Sequence, residues 1–122
     1  MQNTSSTRAP RFKRYDQSEG CAVERALEVI GGKWKGVILF HLLDGTMRFG
    51  EIRQAIGKVT QRTLTRQLRE LEADGIITRT VHPVQPPHVD YALTDKGAAL
   101  APMLYALQKW GRSQLALGPQ RD

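Results

Sequence analysis

The sequence holds a single cysteine, Cys21, in 122 residues, so neither an intrachain disulfide nor a cysteine-rich zinc site can form within it. Aromatic residues make up only 7%. No stretch approaches the roughly 18 consecutive apolar residues that a membrane-spanning helix needs. The N-terminus has no apolar core behind its basic residues, so no secretory signal is expected. His41, His82 and His88 are scattered, and together with one cysteine they do not give metal-ligand spacing. Gly31-Gly32-Lys33 lacks the spacing and the preceding strand of a phosphate-binding loop. No Ser–His–Asp order or close carboxylate pair points to hydrolysis. The expectation is a reduced, cytoplasmic chain without metal, cofactor, membrane contact or catalysis.

What remains is ordinary in bulk and uneven in detail. At 122 residues, with 40% hydrophobic and 25% charged residues, the chain suits one globular domain. The net charge is +6. Most of it sits in two places. Residues 1–20 carry +2, from Arg8, Arg11, Lys13 and Arg14 against Asp16 and Glu19. Residues 48–80 carry +3, from Arg48, Arg53, Lys58, Arg62, Arg66, Arg69 and Arg79 against Glu51, Glu70, Glu72 and Asp74. Arginine dominates the second cluster, and its planar fork suits phosphate and guanine. A solvated helix face is the plainer reading of such a run.

Apolar spacing sets out the elements. Residues 1–17 show no apolar period and read as a disordered basic arm. Val23, Ala26, Leu27 and Ile30 predict a first helix, ended by Gly31-Gly32. A second, apolar nearly all round, is expected from Lys33 to Leu43, with Trp34 as a core anchor and His41 a core or interface side chain. Phe49, Ile52 and Ile56 mark a short third helix. Thr60 is the predicted N-cap of a fourth, closed by Asp74-Gly75. At about 100° per residue, its Leu64, Leu68 and Leu71 lie opposite Arg62, Arg66 and Arg69, with Gln61 and Thr65 flanking the arginines. Residues 76–81 and 89–93 then predict a hairpin with a stiff tip at Pro83, Pro86 and Pro87. The alternation there leaves the facing of Tyr91 open. A last long helix is capped by Thr94 and lined by Leu100, Met103, Leu104, Leu107 and Trp110, and Pro102 should kink it.

A short helix, a tight turn, an arginine-faced helix and a hairpin make a winged helix-turn-helix: mainly α with a small β-hairpin wing. Such a helix fits the major groove, where base edges carry sequence information. Gln61, Arg62, Thr65 and Arg66 are the candidates for base edges, and Arg69 for phosphate. Arg79 and His88 on the wing reach toward backbone or minor groove. Thr60 and Arg48 complete the candidate DNA-contacting set.

The stretches CAVERALEVIGGKWK, MRFGEIRQAI, LTRQLRELEADGIITR, PPHVDYALTDKG and LQKWG resemble, in order and spacing, the HxlR-type transcriptional regulators within the MarR-like winged helices. The resemblance runs from Cys21 to about Trp110 and departs at Ala22, where the family commonly has proline. It implies a bacterial or archaeal homodimer on a pseudo-palindromic operator. It also implies terminal dimerisation helices, here with Val23, Leu27, Ile30, Leu100, Leu104, Leu107 and Trp110. The domain is expected over 18–111, with 112–122 as a flexible tail.

The resemblance also puts Cys21 where members of the family often carry a cysteine, which in some senses oxidants, quinones or aldehydes. A helix N-terminus favours a thiolate, Arg25 adds to this, and Glu19, Glu24 and Glu28 oppose it. The expected function is therefore a DNA-binding regulator, more naturally a repressor, answering an oxidant through Cys21 or a small-molecule effector. The alternatives are a regulator with no redox role, in which Cys21 is a small cap residue, a winged helix that binds only protein, and a thiol enzyme. The protein-binding form would need apolar groups where the arginines stand. The enzyme would need a base near Cys21, and no histidine lies near it in sequence.

Overall fold

The computed structural model describes residues 19–117; the expected 1–17 arm lies outside them. The chain divides into two compact units, Met1–Gly32 and Lys33–Asp122. Helix α1 (Glu19–Ile30) is the described part of the first unit. It begins four residues before Val23, so that Cys21 lies in its first turn. Val23 and Leu27, one turn apart, are exposed.

The second unit runs α2 (Lys35–Leu42), β1 (Met47–Arg48), α3 (Phe49–Ile56), α4 (Gln61–Ala73), β2 (Ile77–His82), β3 (His88–Leu93), α5 (Asp95–Ala98) and α6 (Ala101–Ala116). The winged helix-turn-helix expected from the sequence is present. Ile38 and Leu39 of α2, Ile52 of α3, Leu64, Leu68 and Leu71 of α4, and Ile76 and Ile77 form the centre of the core, all nearly solvent-free. Val59, in the turn between α3 and α4, is buried as well. Phe40 of α2 meets Tyr105 of α6 edge to face, with ring centroids 5.9 Å apart.

Among the described residues of this unit, one charged side chain is buried. Lys35, at the start of α2, is 5% exposed, and its Nζ lies 2.6 Å from Glu70 Oε1 on α4. The contact ties the recognition-type helix to the central one.

Three expectations are corrected. The sheet has three antiparallel strands in the order β1-β3-β2, not two: Met47 pairs with Tyr91 and Arg48 with Asp90. Two residues are too few to show a period, and only the partner strand makes them a strand. The last helix is two helices. Pro102 does not kink α6; it is the second residue of that helix, where its missing N–H loses no bond. Thr94 does cap a helix, the short α5. Finally, α6 continues through residues 112–116, where the tail was expected to start.

The segment Thr94–Gly97 clamps the far end of α4. The Thr94 hydroxyl is shared between the carbonyls of Gly75 (2.7 Å) and Ile76 (3.0 Å), and it accepts the Gly97 N–H at 3.1 Å. Lys96 Nζ donates to the Asp74 carbonyl at 3.1 Å, covering an orphan acceptor at the end of α4. Gly97 packs so closely on the Ile76 carbonyl that a Cβ there would collide with it.

Two stability tests follow from these contacts. Gly97→Ala should destabilise the protein by about 1–3 kcal/mol in urea unfolding, because backbone must shift to admit the methyl. Glu70→Leu should cost about 2–3 kcal/mol, less than a fully buried pair would, because Glu70 is one-third exposed. The K35M/E70L double variant should recover most of that loss. Equal loss in the double variant would show that the pair's packing, not its charge, is what matters.

Candidate nucleic-acid interface

Helix α4 owes its position to its two faces. Leu64, Gln67, Leu68 and Leu71 are buried, whereas Gln61, Arg62, Arg66 and Arg69 are exposed and Thr65 is half-buried. Its start is fixed by Thr60, whose side-chain oxygen accepts the Thr63 N–H at 3.1 Å. Thr60 is thus first a cap, and its hydroxyl proton remains available to a ligand. The turn before it contains Gly57 at φ 86°, a left-handed conformation that glycine adopts without strain. Helix α3 begins at Arg48, whose backbone N–H donates to Glu51 Oε1 at 2.8 Å. The Arg48 side chain is exposed.

The wing divides the expected residues between its two sides. Arg79 pairs with Tyr91 across β2 and β3, so both project from the same face of the sheet. That face closes a cleft of about 440 Å³ lined by Phe49, by Gln61, Thr65, Arg69 and Glu72 of α4, and by Arg79, Val89 and Tyr91 of the wing. Tyr91 is buried, which settles the facing that alternation left open. Arg62 and Arg66 lie outside the cleft, on the next stripe of α4, about a quarter of a turn round. His88 is not brought to this site: it pairs with His82 one position off the Arg79 phase, on the opposite face of the sheet.

The structure thus presents two cationic edges. One is the open stripe of Arg62 and Arg66. The other is the pair Arg69 and Arg79, on opposite walls of the cleft, with Glu72 partly offsetting their charge. Such an arrangement can hold a polyanion in the cleft while the neighbouring stripe meets a groove.

The residues expected at a dimer interface also separate. Leu104 is 3% exposed within the single chain, so it belongs to the core of its own protomer; this corrects its assignment to an interface. Leu100 and Ile30 are half-buried. Val23, Leu27, Leu107 and Trp110 are exposed, and Trp110 reaches 67%. Cys21 is half-buried. Trp34 is half-buried, not fully enclosed, with Lys33 Nζ 5.1 Å from its ring centroid. His41 is half-buried. The Lys35–Glu70 pair and Val59 were not singled out from the sequence. A turn valine between two amphipathic helices was the only available hint of the latter. Among the described residues no helix is long and apolar enough to cross a membrane.

Comparison with known proteins agrees with this geometry. The HxlR-like helix-turn-helix family matches residues 29–118. The HTH-type transcriptional regulator YybR of Bacillus subtilis (strain 168) is 52% identical over 99 residues, which is 81% of this chain and 79% of that one. A solved structure of the redox regulator HypR in its oxidized form superposes with a TM-score of 0.74 at 49% identity, covering 84% of this chain and 99% of that one. The reduced form of the transcriptional regulator YodB from B. subtilis gives 0.66 at 39% identity, over 73% and 87% of the two chains. Family match, sequence identity and fold agree: the chain belongs to the HxlR-like helix-turn-helix family of transcriptional regulators.

Proposed function

We propose that the protein is a cytoplasmic, non-catalytic homodimer that binds a pseudo-palindromic operator and represses by occluding a promoter. The observation that carries this reading is the outer face of α4, where exposed Gln61, Arg62, Arg66 and Arg69 stand opposite a buried leucine stripe. Inserted in the major groove, Gln61 pairs with adenine, Arg62 and Arg66 with guanine, and Thr65 meets a thymine methyl. One phosphate strand runs through the cleft between Arg69 and Arg79, with Thr60 at its margin; Arg48 pairs with Asp90 in the strand register and so stands on the face turned away from the cleft, outside this contact. A docking role for protein alone would place apolar groups on this face. Two copies joined through Val23, Leu27, Leu107 and Trp110 would present their α4 helices to half-sites about 34 Å apart. A signal then acts by favouring a dimer arrangement with a different spacing.

A redox input is the second reading. It is supported by Cys21 in the first turn of α1 and by the relative named as a redox regulator. Oxidation would join Cys21 of two copies in a disulfide, with two thiols giving two protons and two electrons to an oxidant such as diamide. A non-sensing regulator, or one answering a small-molecule effector, keeps the same DNA-binding face.

Arg62→Ala should weaken operator binding by about 1–3 kcal/mol and relax the preference at one base pair per half-site. Arg79→Ala should weaken all sequences alike and lower the salt slope by about 1. Gel-shift titrations on operator variants at several salt concentrations separate the two; sequence-blind weakening by Arg62→Ala would assign that side chain to phosphate instead. Cys21→Ser should leave footprinted operator binding intact and abolish release by diamide. Release of the serine variant by diamide would remove Cys21 from the mechanism.

A further inference from the structure

The face of the wing turned away from the cleft gathers three metal-ligand side chains. His82 closes β2 and His88 opens β3, and the two are direct partners in the register. Asp90 lies two residues along β3, on the same face as His88. The imidazole rings stack, with centroids 4.6 Å apart and planes inclined by 29°. The carboxylate addresses both: Asp90 Oδ2 lies 2.8 Å from His82 Nε2, and Oδ1 lies 3.8 Å from His88 Nε2. One donor atom from each residue falls within 4.8 Å of the other two.

We propose that this triad is a binding site for a divalent transition-metal ion, with zinc as its reference occupant. Two imidazoles and a carboxylate are the donors that zinc takes at about 2.0–2.2 Å, three protein ligands leaving a further position for water. Donors around a tetrahedral ion at those lengths stand about 3.4 Å apart. Side-chain movements of about 1 Å or less reach that value, the 2.8 Å His82–Asp90 contact opening and the longer spacings closing. The side chains are 40%, 24% and 26% exposed, so an ion reaches them from solvent without opening the fold. Imidazole with carboxylate selects zinc, nickel or copper over magnesium and calcium, which prefer oxygen ligands throughout. Arg48 lies opposite Asp90 in the β1–β3 register and is the charge that such an ion must outweigh. An ion held here joins the last residue of β2 to the first of β3, at the root of the proline-rich tip, and fixes the hairpin's end. The site faces away from the cleft, so its occupancy is separable from DNA contact.

The test uses the full chain, freed of metal with a chelator and titrated with zinc against a chromophoric competitor. One equivalent should bind per chain. His82→Gln, His88→Gln and Asp90→Asn should each weaken binding about tenfold or more. Cys21→Ser and His41→Gln should leave it unchanged. Wild-type affinity no greater than that of the H82Q/H88Q double variant would overturn the proposal, as would loss of binding in the Cys21→Ser variant. Should Asp90→Asn disturb the hairpin, the imidazole nitrogen resonances of the wild type decide. Zinc must shift those of His82 and His88 and magnesium must not; a shift confined to His41 would refute the site.

Discussion

Everything at the interface depends on one helix being held tightly from one side only. Leu64, Leu68 and Leu71 are almost wholly removed from water, and burying each contributes about 2 kcal/mol relative to leaving it exposed. Those contacts fix the roll of α4 about its own axis. The roll decides which side chains are offered outward, since about 100° separates successive residues. Arg62 and Arg66 face out because the leucines cannot.

Roll alone does not set the height or tilt of the helix, and two polar devices do. In the last turn of the helix, Lys35 reaches from α2 to Glu70. Just beyond its C-terminal end, Thr94 and Lys96 take up the carbonyls of Asp74, Gly75 and Ile76, and Gly97 packs against the Ile76 carbonyl. The same four-residue segment leaves β3 directly, so the helix and the wing share their fastening. This explains in bonds why the stretch LTDKG matters: a threonine that both donates and accepts, a lysine long enough to cap, and a residue without a Cβ.

Much of this was legible in the sequence, and the exceptions have physical causes. The fourth helix was readable because its two faces differ so sharply in polarity, and Thr60 announced its start. Strand β1 was not, because two residues carry no period and gain their identity from β3. Leu104 and Leu107 share a helical face on paper, yet one is buried within the chain and the other is exposed. Apolar spacing says that a residue seeks cover, not which surface supplies it. Lys35 escaped notice because lysines are rarely buried without a partner, and its partner is 35 positions away. His82 and His88 read as scattered in the sequence because the hairpin tip separates them; register, not spacing, brings them together beside Asp90. Pro102 begins a helix rather than interrupting one; in the sequence a single proline is compatible with either, and only the break after α5 decides.

The shared fastening of α4 and the hairpin has a mechanical corollary. Reader helix and flanking ribbon travel as one stiff head, and neither can be retuned alone without breaking bonds to Gly75 or Ile76. Sequence preference is therefore hard-wired into each protomer. In the proposed dimer, an input that loosens the grip on DNA acts by re-aiming whole heads, as a wrist turns a closed hand, and the letters being read stay the same.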